Sequence, residues 1–104
     1  MELFLVTAPP EAAERIAAAL VAERLAACVS IVPGVLSTYW WEGKVERAGE
    51  ALLLVKTRAE LTGKLAARIK ELHPYSCPEI VHAPLAVANP DYARWVEEET
   101  RGGT

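Results

Sequence analysis

The feature that most constrains the fold is an apolar and aromatic stretch, ACVSIVPGVLSTYWW, at residues 27–41. β-branched and aromatic residues dominate it, which is typical of a β-strand. Pro33-Gly34 interrupts the stretch and indicates a bulge or bend. Glu42-Gly43 predicts a tight turn. Residues 44–57 then run back and end in ALLLV, whose continuous apolar character is typical of a buried strand. The chain must therefore accommodate one very long β-hairpin.

The length of this hairpin does not fit a compact monomer. Extended, its first strand would reach roughly 50 Å at about 3.3 Å per residue, whereas a domain of this size has a radius of gyration of only about 13 Å. The hairpin must bend at Pro33 or project from the body. Its tip carries aromatic side chains, which favour aggregation unless a partner covers them. We therefore predict a homo-oligomer with these aromatic interface residues: Tyr39, Trp40, Trp41 and, near the C-terminus, Trp95.

The remaining segments predict two further strands and three helices. LFLVTA is a short apolar strand, and the Ala-rich segment after Pro9-Pro10 has helical periodicity. Residues 57–60, Thr-Arg-Ala-Glu, fit a capping box for a second helix. This helix should end near Leu72 because a proline follows shortly. The last strand contains Pro84 and should be an edge strand, and Asn89 should cap a terminal helix.

The order βαββαβα predicts an α+β fold. With right-handed crossovers and the helices on one face, it is a ferredoxin-like sandwich with an extra C-terminal helix. Strands two and four would be the edges of the sheet. The length is that of a single domain covering residues 1–104.

Composition excludes several classes of function. A net charge of −3 and a pI of about 5.4 argue against a nucleic-acid partner. No apolar run is long enough to span a bilayer, and the N-terminus lacks a basic signal-peptide head, so we expect a cytoplasmic protein. Glutamine is absent, asparagine occurs once, and arginine outnumbers lysine seven to four, which favours a thermostable protein.

The segment LHPYSCPEIV, residues 72–81, concentrates residues that bind metals. His73 is the best candidate ligand because neutral imidazole suits copper and zinc. The alternative is a histidine that bonds the last carbonyl groups of the helix. His82 fits a packed or surface residue on a strand. Cys28 fits a buried, inert thiol. No spacing among the cysteines and histidines supports a structural metal site.

A second candidate site combines strand three with the same segment. Glu50 and Lys56 share one strand face, and they could meet the Tyr75–Glu79 segment if strands three and four lie close together. A buried Lys–Glu pair beside an aromatic wall such as Trp41 would bind a small anion or an amphiphile. The alternative is a structural ion pair at a subunit interface. The cleft candidates are therefore Trp41, Lys56, Tyr75 and Glu79.

These motifs together resemble the CutA family of divalent-cation tolerance proteins over nearly the whole chain, residues 3–96. The resemblance is carried by RLAACVSIVPG, Tyr39-x-Trp41-x-Gly43, Glu50 before Lys56-Thr57, His73-Pro74-Tyr75 with Pro78-Glu79, and Asp91-Tyr92 with Trp95. It implies a ferredoxin-like fold, a tight homotrimer with interlocked sheets, and a link to copper and other divalent metals. It also implies similarity to PII signalling proteins, whose trimer clefts bind small molecules. No enzymatic activity is established for the family as a whole.

Two departures from the family pattern bear on the metal hypothesis. Ser76-Cys77 stands where family members often have Glu-Val, so Cys77 should fill an apolar position. Leu72 stands where some relatives have a second histidine, so any copper binding at His73 should be weak. The resemblance thus predicts a homotrimer, without catalysis or a required cofactor, that serves divalent-metal tolerance and binds copper or another divalent cation weakly. The alternatives are a PII-like sensor of a small anion at the subunit cleft and a purely structural partner-binding trimer.

Overall fold

The computed structural model describes residues 1–103. Its elements are β1 (Glu2–Ala8), α1 (Pro10–Ala22), β2 (Cys28–Trp41), β3 (Lys44–Thr57), a 3-10 turn at Ala59–Leu61, α2 (Thr62–Leu72), β4 (Ile80–Pro84) and α3 (Pro90–Glu99). The four strands form one sheet in the order β2-β3-β1-β4, and every neighbouring pair is antiparallel. This is the predicted ferredoxin-like order, with β2 and β4 at the edges. No helix within these residues is both long and apolar enough to cross a membrane.

The hydrophobic core lies between one face of the sheet and the helices α1 and α2. Alternate residues of β1, such as Phe4 and Val6, are fully buried there. The helices contribute fully buried aliphatic side chains in turn, as periodicity predicts. The residues are Ile16, Leu20, Leu65 and Ile69.

The opposite face of the sheet is also apolar, but it is only partly covered. We call it the open face, and its aliphatic members are Leu3, Leu5, Val32, Leu52, Leu54 and Val81. Val32 is 41% exposed and Val81 is 49% exposed. An apolar sheet surface of this kind normally packs against another layer.

The long hairpin projects from the body, as its length predicts. The chain measures 45 × 27 × 20 Å along its principal axes. We call residues 35–50 the arm. At its base the register shifts between Val32 and Val35, which confirms the bulge expected at Pro33-Gly34. At its tip, Glu42 and Gly43 both have positive φ, 50° and 79°, the backbone of a type I′ turn.

The ends of the helices confirm two predictions and correct one. α2 ends at Leu72 as expected, and the Asn89 side chain accepts a hydrogen bond of 3.0 Å from the backbone N–H of Asp91. The predicted capping box is wrong. Thr57 is the last residue of β3, and its hydroxyl donates to the carbonyl of Leu25 at 2.8 Å. Because the Thr57 hydroxyl donates to this distant carbonyl, it does not cap the following 3-10 turn, which has no side-chain cap.

Candidate functional site

A cavity of about 700 Å³ lies between the arm and the loop that follows α2. Thr7, at the end of β1, and Glu50, at the base of the arm, line it from the body of the sheet. Its other lining residues are Ser37, Thr38, Tyr39, Trp40, Trp41, Tyr75, Ser76, Cys77 and Glu79. Its volume falls in the range of small-molecule sites, about 300–1,000 Å³. We call it the arm cavity.

Glu50 is the buried charge of the arm cavity. It lies opposite Val35, just past the bulge, and it is only 5% exposed. The hydroxyl of Tyr75 donates to Glu50 Oε2 at 3.1 Å. Burial, assisted by this carboxylate, raises the pKa of Tyr75 to about 12. Tyr75 is therefore a protonated hydrogen-bond donor at any physiological pH.

His73 fixes the loop that carries Tyr75. Its Nε2 lies 2.7 Å from the carbonyl oxygen of Thr7, and its Nδ1 accepts the backbone N–H of Tyr75 at 3.1 Å. Because a carbonyl only accepts, Nε2 carries the proton. The side chain is 6% exposed. A metal could bind either nitrogen only after that nitrogen gave up its present bond, so copper binding at His73 stays a prediction.

Three of the four residues predicted to line a cleft lie together in the single chain. Trp41, Tyr75 and Glu79 all line the arm cavity. Lys56 does not: its ammonium group donates to Ser30 Oγ at 2.6 Å. Six residues of extended strand separate Lys56 from Glu50, which is about 20 Å. Moreover, β1 lies between β3 and β4, so the condition for this pairing, that strands three and four lie close together, is not met within one chain.

The remaining candidate metal ligands are dispersed. His82 pairs through Nδ1 with Glu2 Oε1 at 2.8 Å and stacks on Phe4. Cys28 lies 3.7 Å from the Lys56 ammonium group. Cys77 is exposed on the loop before β4, so in the single chain it does not fill a buried apolar position. Residues 1–103 hold no group of three or more side chains placed to bind a metal ion.

The aromatic residues predicted at an interface lie in two places. Tyr39, Trp40 and Trp41 are on the arm, where they are 42%, 74% and 46% exposed. Trp95 lies apart from them on α3, stacked on Tyr92. The sequence did not predict the hydroxyl side chains of the cavity, such as Thr7 and Ser37, because isolated Ser and Thr residues carry no pattern that marks a site.

The fold places the chain in a class of protein with solved structures. A solved structure of the PII-like protein CutA from Nostoc sp. PCC 7120 has a similar fold. That structure superposes with a TM-score of 0.92 at 39% identity and covers 97% of this chain and 98% of its own. The chain is therefore similar to a PII-like protein in fold.

The chain belongs to the CutA1 divalent ion tolerance protein family, whose sequence model matches residues 2–99. The divalent-cation tolerance protein CutA of Thermus thermophilus is 53% identical over 95% of this chain and 97% of its own length. A structure of the T. thermophilus protein superposes with a TM-score of 0.90 over 95% of this chain and 98% of its own, at 52% identity. The mouse protein CutA is 41% identical over 91% of the chain, which spans only 54% of that longer relative.

Proposed function

We propose that this protein is a cytoplasmic homotrimer that serves tolerance of, or response to, divalent metal ions such as copper. It acts without catalysis or a required cofactor, and it binds the ions weakly. Membership of the divalent ion tolerance family supports the biological role. The scattered ligands of residues 1–103 support weak binding, since a tight site needs three or four convergent donors. This dispersion is the observation that carries the proposal of weak binding.

Two further observations support the assembly and the location. The open face and the arm expose apolar surface that a monomer would leave in water, and large exposed patches mark interaction sites. Both cysteines are free, which is the state favoured in the reducing cytoplasm.

A copper titration tests the metal role. We expect Cu(II) to bind the trimer with a Kd no tighter than roughly micromolar. His73→Ala should remove most of this binding, because imidazole is the preferred ligand of Cu(II) among the groups present. Cys77→Val and His82→Ala are the matched controls, and both should bind as wild type does. Sedimentation of each variant confirms that the fold and assembly are retained.

The outcomes of this titration discriminate between ligands. Undiminished copper binding by His73→Ala would contradict the assignment. Loss of the site in Cys77→Val would instead move the chemistry to the exposed thiol. If no copper binds at all, direct copper binding does not explain the role in metal tolerance.

The second candidate function is PII-like sensing of a small molecule. The arm cavity favours it, because its volume, its aromatic walls and its buried carboxylate are features of a ligand site. An anion is the ligand expected from the sequence. Calorimetric titration with a panel of small anions and cations tests this function independently of copper.

A further inference from the structure

Both ring nitrogens of His73 are engaged by groups of the same chain. Nε2 donates to the carbonyl oxygen of Thr7 at 2.7 Å, and Nδ1 accepts the backbone N–H of Tyr75 at 3.1 Å. We call these two hydrogen bonds the His73 latch, because they tie the loop after α2 to the end of β1. His73 is only 6% exposed in the single chain, so a neighbouring subunit can add to its burial but is not needed for either bond.

The two nitrogens differ in how well they suit a metal ion. A neutral imidazole ligates through its unprotonated nitrogen, and the other nitrogen then usually donates its proton to a carboxylate or a backbone carbonyl. The bond from Nε2 to the Thr7 carbonyl already has this form. Ligation through Nε2 would instead require moving the proton to Nδ1, where it would face the Tyr75 N–H. His73 therefore fits a metal ion as a single ligand, through Nδ1.

The Tyr75 amide occupies the lone pair that ligation would use. The unprotonated nitrogen of a neutral imidazole accepts through one lone pair, so Nδ1 can either accept this N–H or ligate a metal ion, but not both. Within residues 1–103 there is no group of three or more ligating side chains whose convergence would offset the loss of this bond. The latch thus supplies a second physical reason for weak metal binding, beside the dispersion of the ligands.

We propose that the backbone amide of Tyr75 is an autoinhibitory contact for metal binding at His73. Nδ1 becomes a ligand only when the loop after α2 releases this amide, while Nε2 stays bonded to Thr7. The inference rests on the metal role proposed above and specifies which nitrogen takes part. Metal occupancy and the closed latch then exclude each other, so the binding of a divalent ion at His73 is coupled to a change in this loop.

Copper titration of two variants at one fixed pH tests the contact. Tyr75→Pro removes the amide hydrogen, whereas Tyr75→Ala keeps it, and both lose the ring and its hydroxyl bond to Glu50. We expect Tyr75→Pro to bind Cu(II) about threefold to tenfold more tightly than Tyr75→Ala, which is the range of one net hydrogen bond. If the amide only shaped the loop, its removal would leave copper affinity equal or lower.

Two further variants locate the gain in affinity. Adding His73→Ala to Tyr75→Pro should abolish the gain, because the gain arises at Nδ1. Adding Cys77→Ser to Tyr75→Pro removes the exposed thiol of the same loop and should leave the gain unchanged. Sedimentation and circular dichroism establish that each variant is folded and assembled.

Hydrogen exchange of the assembled wild-type protein tests the latch without any substitution. At constant pH, the Tyr75 amide should exchange at least about threefold faster with saturating Cu(II) than without it, because it loses its acceptor. The control is the Ala12 amide, which bonds to the carbonyl of Pro9 at 2.9 Å and should exchange equally in both conditions.

Three results would overturn the proposal: equal copper affinity of Tyr75→Pro and Tyr75→Ala, a gain that survives His73→Ala, and unchanged exchange of the Tyr75 amide at saturating copper. If Tyr75→Pro does not fold, the exchange measurement decides alone. If neither the wild type nor Tyr75→Pro binds copper, the inference fails together with the metal role. If His73→Ala lowers copper binding by the wild type but Tyr75→Pro gives no gain, the metal role stands and only the autoinhibitory contact is refuted.

Discussion

Three buried polar residues, Glu50, Thr57 and His73, determine how the ends of the strands are joined. Each is at most 6% exposed, and each bonds to a group distant in sequence. Thr57 donates to the carbonyl of Leu25, and His73 joins the end of β1 to the loop after α2. Since an unpaired buried polar group is costly, these bonds specify where the connecting segments lie.

Thr57→Val should destabilise the protein by about 1–3 kcal/mol, because the shape is kept while the Leu25 carbonyl loses its donor. The matched control is Thr62→Val, which removes a similar 2.8 Å bond to the carbonyl of Ala59 at an exposed position. Water can replace that bond, so the loss should be smaller. Guanidinium unfolding of both variants measures the difference. Equal losses would show that the Thr57 bond carries no special role.

At the scale of elements, the arm depends on its two-residue turn. Glu42 adopts a positive φ of 50°, a backbone region that asparagine and glycine occupy more readily than glutamate. Gly43, at φ 79°, is already the residue that such a turn favours. The turn therefore carries local strain at one position only.

Glu42→Asn should stabilise the protein by about 1 kcal/mol per chain, because it relieves the left-handed backbone penalty. The control is Glu46→Asn, at a strand position on the same hairpin, where asparagine is a poor β-former. We expect that variant to be neutral or less stable. Thermal unfolding of the pair measures both changes, and a loss of stability in Glu42→Asn would contradict this account of the turn.

The sequence predicted the elements well because periodicity, prolines and glycines act locally. The bulge at Pro33-Gly34, the turn at Glu42-Gly43 and the Asn89 cap all require only neighbouring residues. Thr57 was misassigned because its partner lies 32 positions away. Lys56 lies outside the arm cavity of the single chain for a related reason: which residues of a strand reach a given loop depends on sheet order and strand length. The sequence alone could not show that Glu50 lines the arm cavity while Lys56 lies away from it.

At the scale of the whole molecule, the elongated shape leaves apolar surface in water. Leu36 and Trp40 on the arm are 69% and 74% exposed, and the open face adds further aliphatic residues. A domain of this size without partners would expose an aggregation-prone surface. We expect assembly to cover this surface, and the family resemblance implies three chains.

Sedimentation should therefore show one species near three times the chain mass of 11.3 kDa at micromolar concentration. Trp41→Asp should break this assembly, because it places a charge in a desolvated contact. Glu14→Asp, on the exposed side of α1, is the control and should remain trimeric. A wild-type monomer at micromolar concentration would refute the assembly, and a trimeric Trp41→Asp would remove Trp41 from the interface.

The thermal midpoint of the assembled protein should lie above about 90 °C. Few amide side chains, an Ala-rich α1 and a large proposed interface all favour this result. The capping box contributes nothing, because Thr57 is bonded elsewhere. Calorimetry measures the midpoint directly, and a transition in the range of mesophilic proteins would refute the prediction.

The pairing of β2 with β3, which runs from Cys28↔Lys56 to Trp41↔Lys44 with one register shift between Val32 and Val35, has a kinetic consequence. Neighbouring strands can zip within about 1–10 μs, so each chain should present a finished arm long before it meets another. Encounters between specific patches proceed at about 10⁵–10⁷ M⁻¹s⁻¹, which is slow at nanomolar concentration. Refolding half-times should therefore lengthen as the chains are diluted.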